Sequence, residues 1–189
     1  MQPLSDIRCA LADYAARWPA EPDVSLFLGM LDSGVEVFRR EHLAGHFTAS
    51  AWLVSADGNR VLLTHHRKLG RWLQLGGHAD GDVDLPRVAL REGQEESGID
   101  ALRVEQAIFD VDRHGIPARG QEPEHWHYDV RYVVHADDEA FVVGHESLDL
   151  AWRNIDELIA DASTDASLKR MAHKWRQRQT AMRSAAAPG

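Results

Sequence analysis

One short run, Arg91-Glu92-Gly93-Gln94-Glu95-Glu96-Ser97-Gly98-Ile99, concentrates the residues that could do chemistry. On a helix, spacings of three and four bring Glu92, Glu95 and Glu96 together. Like charges that close repel by roughly 0.2–0.5 kcal/mol per pair. A divalent cation turns that repulsion into attraction, and hard oxygen donors favour Mg²⁺ or Mn²⁺. Mg²⁺ keeps several waters and is commonly shared with substrate phosphates. The run therefore points to metal-assisted phosphate chemistry. A solvated acidic helix face has the same composition, so the context matters. Here Arg91 stands beside the cluster, Gly76-Gly77 precede it and Gly98-Ile99 end it. A calcium loop is excluded: Asp80, Asp82 and Asp84 have its spacing, but Leu85 replaces the turn glycine and Arg91 the bidentate glutamate.

These carboxylates require a helix behind a glycine loop. Pro86 suits the first helical turn, with Asp84 or Leu85 at the cap, and Gly98 suits a left-handed end. Pro86, Ala89, Leu90, Gly93 and Ser97 make a stripe that can lie on a sheet. The expected strands are 47–55 and 61–65 around the turn Asp57-Gly58-Asn59, forming a hairpin, then 72–75, 102–111, 127–134 and 149–153. Ile7, Leu11, Tyr14, Ala15 and Trp18 recur at helical spacing, and Asp23 could cap a second apolar helix over 24–31. Asn154 could cap a helix over 155–160, and a basic helix spans 166–183 with Met171 and Trp175 inward. The alternation implies an α/β (α+β) architecture. The chain divides into an N-terminal helical extension (1–43) that could act as a lid or a homodimer contact, a central domain (44–162), and a C-terminal helix with a frayed tail (163–189).

Gly77 together with the run Arg91 to Ile99 resembles the Nudix box of MutT-like hydrolases. That pattern is a glycine, five residues, a glutamate, seven residues, then Arg-Glu-apolar-any-Glu-Glu-any-Gly-apolar. The spacing fits without insertion, and the flanking strand order is compatible over 47–160. Two positions depart: Val83 stands at the early glutamate, and Gly93 at the apolar position. The resemblance implies a Nudix fold, a mixed β-sheet sandwiched between α-helices. It also implies metal-dependent cleavage of the pyrophosphate bond of a nucleoside diphosphate linked to another moiety, X. Carried over by position, Glu95 and Glu96 would bind Mg²⁺ (or Mn²⁺) with Glu92 and the Gly76 carbonyl, and Arg91 would hold the glutamates. Glu146, ahead of the last strand, would be an extra ligand or base. Val83 motivates an alternative, a non-catalytic Nudix domain that binds a nucleotide for regulation. Isopentenyl diphosphate isomerase shares the fold but uses an active-site cysteine, whereas Cys9, the sole cysteine, lies in the N-terminal helix.

The chain holds 11 histidines, and His65-His66, His78, His125 and His127 fall near the expected mouth of the site. His125 and His127 share one strand face, which suits a metal, but sequence spacing fixes no third ligand. The favoured expectation is contact with substrate phosphate or with the acidic cluster, and His78 and His127 are the candidates. Arg67 and Arg71, with Lys68, could add a positive pocket.

That pocket would matter, because 21 basic side chains face 30 acidic ones for a net charge of −9. Six of the basic residues follow Asp165 and no acidic residue does, so the body is more acidic still. Such a body repels polyanions and argues against nucleic-acid binding. A single cysteine excludes an intrachain disulfide and a cysteine zinc cluster. No apolar run is long enough to span a bilayer and no signal peptide is evident, so a cytoplasmic location is expected.

Overall fold

The computed structural model describes residues 2–21, 23–67, 70–143 and 147–186. Its elements are α1 (Gln2–Arg17), α2 (Val24–Met30), two 3₁₀ turns, β1 (Gly45–Val54), β2 (Arg60–His66), β3 (Arg71–Leu73), β4 (Leu75–His78), α3 (Leu85–Ser97), β5 (Leu102–Ile116), β6 (His125–Ala136), β7 (Ser147–Asn154), α4 (Ile155–Ala160) and α5 (Ala166–Ala186). The strands form one mixed sheet in the order β3-β2-β1-β6-β5, with β4 also paired to β1 and β7 to β2. β1 and β6 run parallel, and the other pairs are antiparallel.

β1 is buried along its whole length because both faces of the sheet are covered. Phe47 and Ala49 look towards α1, α2 and α3 in a core with Leu11, Phe27, Val88 and Tyr132. Trp52 and Val54 look the other way, into a cluster with Ile155, Leu158, Met171 and Trp175 of α4 and α5. The N-terminal helices therefore share a core with the sheet: Ile7, Leu11, Tyr14 and Phe27 are all buried there. Met171 and Trp175 point inward as expected. No helix among the described residues is long and apolar enough to cross a membrane.

Local signals held where the chemistry is local. The Asp84 side chain accepts from the Arg87 N–H at 3.2 Å, and Gly98 ends α3 at φ 69°. Asn154 caps α4 through the N–H groups of Asp156 and Glu157. Asp23 precedes α2 but its side chain makes no capping bond. The expected hairpin also needs correction. β1 and β2 pair only at Val54 and Val61, next to the turn. Over Thr48 to Ala51, β1 pairs with β4 through Gly76 and Gly77. The glycine strand thus displaces the hairpin partner and places itself against α3.

Candidate active site at the glycine strand and acidic helix

α3 lies close enough to β1 that a Cβ on Gly93 would sit 3.6 Å from the Cβ of Ala51. This approach brings the acidic turn onto β4. Successive residues of a strand face opposite sides. Gly77 faces α3, where a Cβ would lie 2.7 Å from Cδ of Glu92. Gly76 faces away, and a Cβ there would lie 2.8 Å from both the Ala49 carbonyl oxygen and Ser50 Cα. The Gly76 N–H donates to Oε1 of Glu96 at 2.8 Å. Two glutamates therefore rest on a strand that has no side chains to hold them off.

Arg91 ties the arrangement together. Its Nη2 donates to the His78 carbonyl at 3.1 Å and to Oε1 of Glu92 at 2.9 Å, and its Nε lies 4.0 Å from Oε1 of Glu95. The side chain of Glu92 is 16% exposed and that of Glu95 is 65% exposed, so one acid faces the strand and the other faces solvent. Burial pushes the Glu92 carboxyl above its ordinary range, against the pull of Arg91. A carboxylate still short of positive charge, beside further carboxylates and a peptide edge, is a donor set of hard oxygens that suits Mg²⁺ or Mn²⁺. Val83 is partly buried against the core with α3, so the early acid of the box has no counterpart there. Asp80 and Asp82 are held by Arg40 at 2.7 Å and by Arg87 at 2.7 Å respectively.

The remaining candidates divide. His78 and His127 come together, with ring centroids 5.0 Å apart. Burial lowers the pKa of both, that of His127 to about 2, so both rings are neutral at pH 7. Arg71 opens β3 and turns to Asp165 at 3.4 Å, and Arg67 is exposed after β2. His65 stacks near Trp72, with centroids 5.2 Å apart, rather than joining the other histidines. Glu146 and Lys68 lie outside the described residues.

Sequence reasoning missed two groups. His46 and His114 join His127 because β1, β6 and β5 place all three in register. Beside them lies a buried charge network. Arg131 reaches Asp129 at 2.7 Å and Asp110 at 3.1 Å, and Thr48 and Ser50 donate to Asp129. The polar alternation His127, Asp129, Arg131 on β6 was the available signal, but an alternating strand also reads as a solvated face.

A family model described as the NUDIX domain matches residues 45–175. Among solved structures, a C. elegans Ap4A hydrolase binary complex aligns at a TM-score of 0.56 with 18% identity, over 71% of this chain and 98% of that one. A MutT protein from Methanosarcina mazei Go1 aligns at 0.53 with 15% identity, over 70% and 94%. The E. coli dihydroneopterin triphosphate pyrophosphohydrolase aligns at 0.52 with 18% identity, over 68% and 92%. At these identities the likeness shows the fold. No curated protein matches the chain.

Proposed function

Since the chain belongs to the NUDIX family, we propose that it is a divalent-cation-dependent pyrophosphohydrolase acting on a nucleoside diphosphate linked to a second group. The observation that carries this reading is the seating of Glu92 and Glu96 on the bare edge of Gly76 and Gly77, with Arg91 clamping one end.

Glu92, Glu95 and Glu96, with the Gly76 carbonyl, would hold Mg²⁺ or Mn²⁺. When bound, the cation neutralises charge on the diphosphate oxygens and favours ionisation of the attacking water. The chain supplies the rest. Arg91 fixes Glu92 against β4, so the carboxylate is oriented before substrate arrives. The bare Gly77 leaves to the Glu92 carboxylate the space that a side chain would take. A carboxylate of the cluster, Glu92 or Glu95, or Glu146, which precedes β7 in sequence, accepts the proton of the attacking water. His78, Arg67 and Arg71 are the candidate donors to the substrate's phosphates.

A panel of ADP-ribose, nucleotide sugars, dinucleoside polyphosphates, CoA and nucleoside triphosphates, assayed with and without Mg²⁺, tests the reading. Mg²⁺-dependent release of phosphate-terminated products from at least one compound is expected. Tight calorimetric binding with no turnover across the panel would instead identify a regulatory nucleotide-binding domain, the reading that Val83 favours.

The two glycines separate folding from activity. At Gly77 a Cβ meets the end of a flexible side chain, so Gly77→Ala is expected to fold and to displace Glu92. Turnover then falls by about tenfold or more. At Gly76 a Cβ meets β1 backbone, and Gly76→Ala is expected to destabilise the protein by about 1–3 kcal/mol. Urea denaturation alongside rate measurements distinguishes the two variants.

A further inference from the structure

The sheet face turned away from α3 carries imidazoles that the reaction above does not use. His46 on β1 pairs in register with His127 on β6, and His125 shares their face two residues earlier. The His46 ring centroid lies 4.9 Å from those of both His125 and His127. One nitrogen of each ring lies within 4.8 Å of the other two.

The tautomers are informative. A carbonyl can only accept, so the 2.9 Å contact between His125 Nδ1 and the Pro123 carbonyl puts the proton on Nδ1. In the neutral ring Nε2 then carries the lone pair, and it faces Nε2 of His127 at 3.3 Å. Two nitrogens each about 2.0–2.1 Å from a tetrahedral zinc ion stand about 3.3–3.4 Å apart. A ring N–H donating to a backbone carbonyl is also the usual support of a metal-bound histidine. His46 is 1% exposed, and neither of its ring nitrogens makes a hydrogen bond of good geometry. A buried polar group left that way is costly, and a ligand satisfies it.

We propose that His46, His125 and His127 form a three-imidazole site for a transition-metal cation of the zinc class. Nitrogen donors select zinc, cobalt, nickel or copper over Mg²⁺ and Ca²⁺, so the site is chemically separate from the carboxylates across β4. The fourth position is left to solvent or to nearby groups. The His78 ring is 5.0 Å from those of His46 and His127, and Oε1 of Glu122 is 3.8 Å from His125 Nε2. His127 is thereby assigned to a metal rather than to substrate phosphate.

Titration of chelator-treated full-length protein with Co²⁺, in excess Mg²⁺ to fill the carboxylates, tests the site. One equivalent of Co²⁺ is expected to develop the intense visible absorption of tetrahedral nitrogen coordination, and Zn²⁺ to abolish it. His125→Gln and His127→Gln, checked for folding by circular dichroism, are expected to weaken Co²⁺ binding by about a hundredfold or more. A Glu95→Gln/Glu96→Gln double variant is expected to keep the full signal. A wild-type protein without the absorption overturns the proposal. So does a signal that survives in folded histidine variants or disappears with the glutamates.

Discussion

Glu95→Gln and Glu96→Gln are each expected to reduce Mg²⁺-dependent turnover by about 10²–10⁴-fold with little loss of stability. That loss corresponds to about 3–5 kcal/mol of transition-state stabilisation. The Glu95 side chain is 65% exposed, and its one described ion pair, to Arg91, is a loose 4.0 Å. Exposed pairs of that kind contribute about 0–1 kcal/mol, so removing the charge leaves the fold almost unchanged. At Glu96 the amide of Gln still offers an oxygen to the Gly76 N–H, now 2.8 Å from the carboxylate. The substitution removes charge and keeps the hydrogen bond. Both variants are therefore expected to match the wild-type urea midpoint while losing rate and requiring more Mg²⁺ for half-maximal activity. If both turned over the substrate found by the panel at the wild-type rate, these glutamates would not hold the cation.

The features legible in the sequence are those whose physics is confined to neighbouring residues. Asp84 as a cap, Gly98 as a left-handed stop and the small stripe of α3 each depend on a few positions, and each is present. Pairing between distant strands carries no such local mark. Nothing in Gly45-His46 announces that it lies beside Trp126-His127, yet parallel pairing of β1 with β6 puts it there. His46 consequently carries no mark in the sequence, and His65 lies beside Trp72 of β3. The hairpin is shorter than expected for a related reason. A turn at Asp57-Gly58-Asn59 starts β2 beside β1, but β4 takes the edge of β1 over Thr48 to Ala51. The charge network was half legible. A basic C-terminal helix after an acidic body suggests packing between them, and Arg170 and Lys174 do reach Asp110. What could not be read is that their acidic partner would be fully buried.

That burial makes Asp110→Asn the substitution expected to cost the most stability, about 3–5 kcal/mol. Asp110 is wholly inaccessible and meets three cations: Arg131 at 3.1 Å, Arg170 at 2.8 Å and Lys174 at 2.6 Å. Arg131 and Lys174 are themselves buried. Asparagine keeps the shape but removes the charge that all three share. Asp129 and Glu21 then remain as the closest acids to Arg131 and Lys174, at 2.7 and 2.5 Å. Breaking a buried network on one side strands the charges on the other, and this penalty exceeds the loss of any one contact. The same geometry fixes a pH dependence. Burial alone would raise the Asp110 carboxyl, but the hydrogen bond from Arg170 and the charge of Arg131 hold it below the ordinary carboxylate range. Asp112 is lowered as well: its burial is outweighed by the hydrogen bond from His114 and the charge of Arg131. Both groups bind protons more readily when the chain is unfolded. Their stabilisation is therefore complete above the unfolded value of about 3.9 and is lost as pH falls through the lower folded values. Urea midpoints measured from pH 7 to pH 3 are expected to fall steeply in the wild type below about pH 4. In Asp110→Asn they start lower and fall less, because one of the depressed carboxyls is gone. Equal midpoints at pH 7 would mean that the buried network adds nothing to stability. Parallel acid limbs would mean that Asp110 is not the group that titrates.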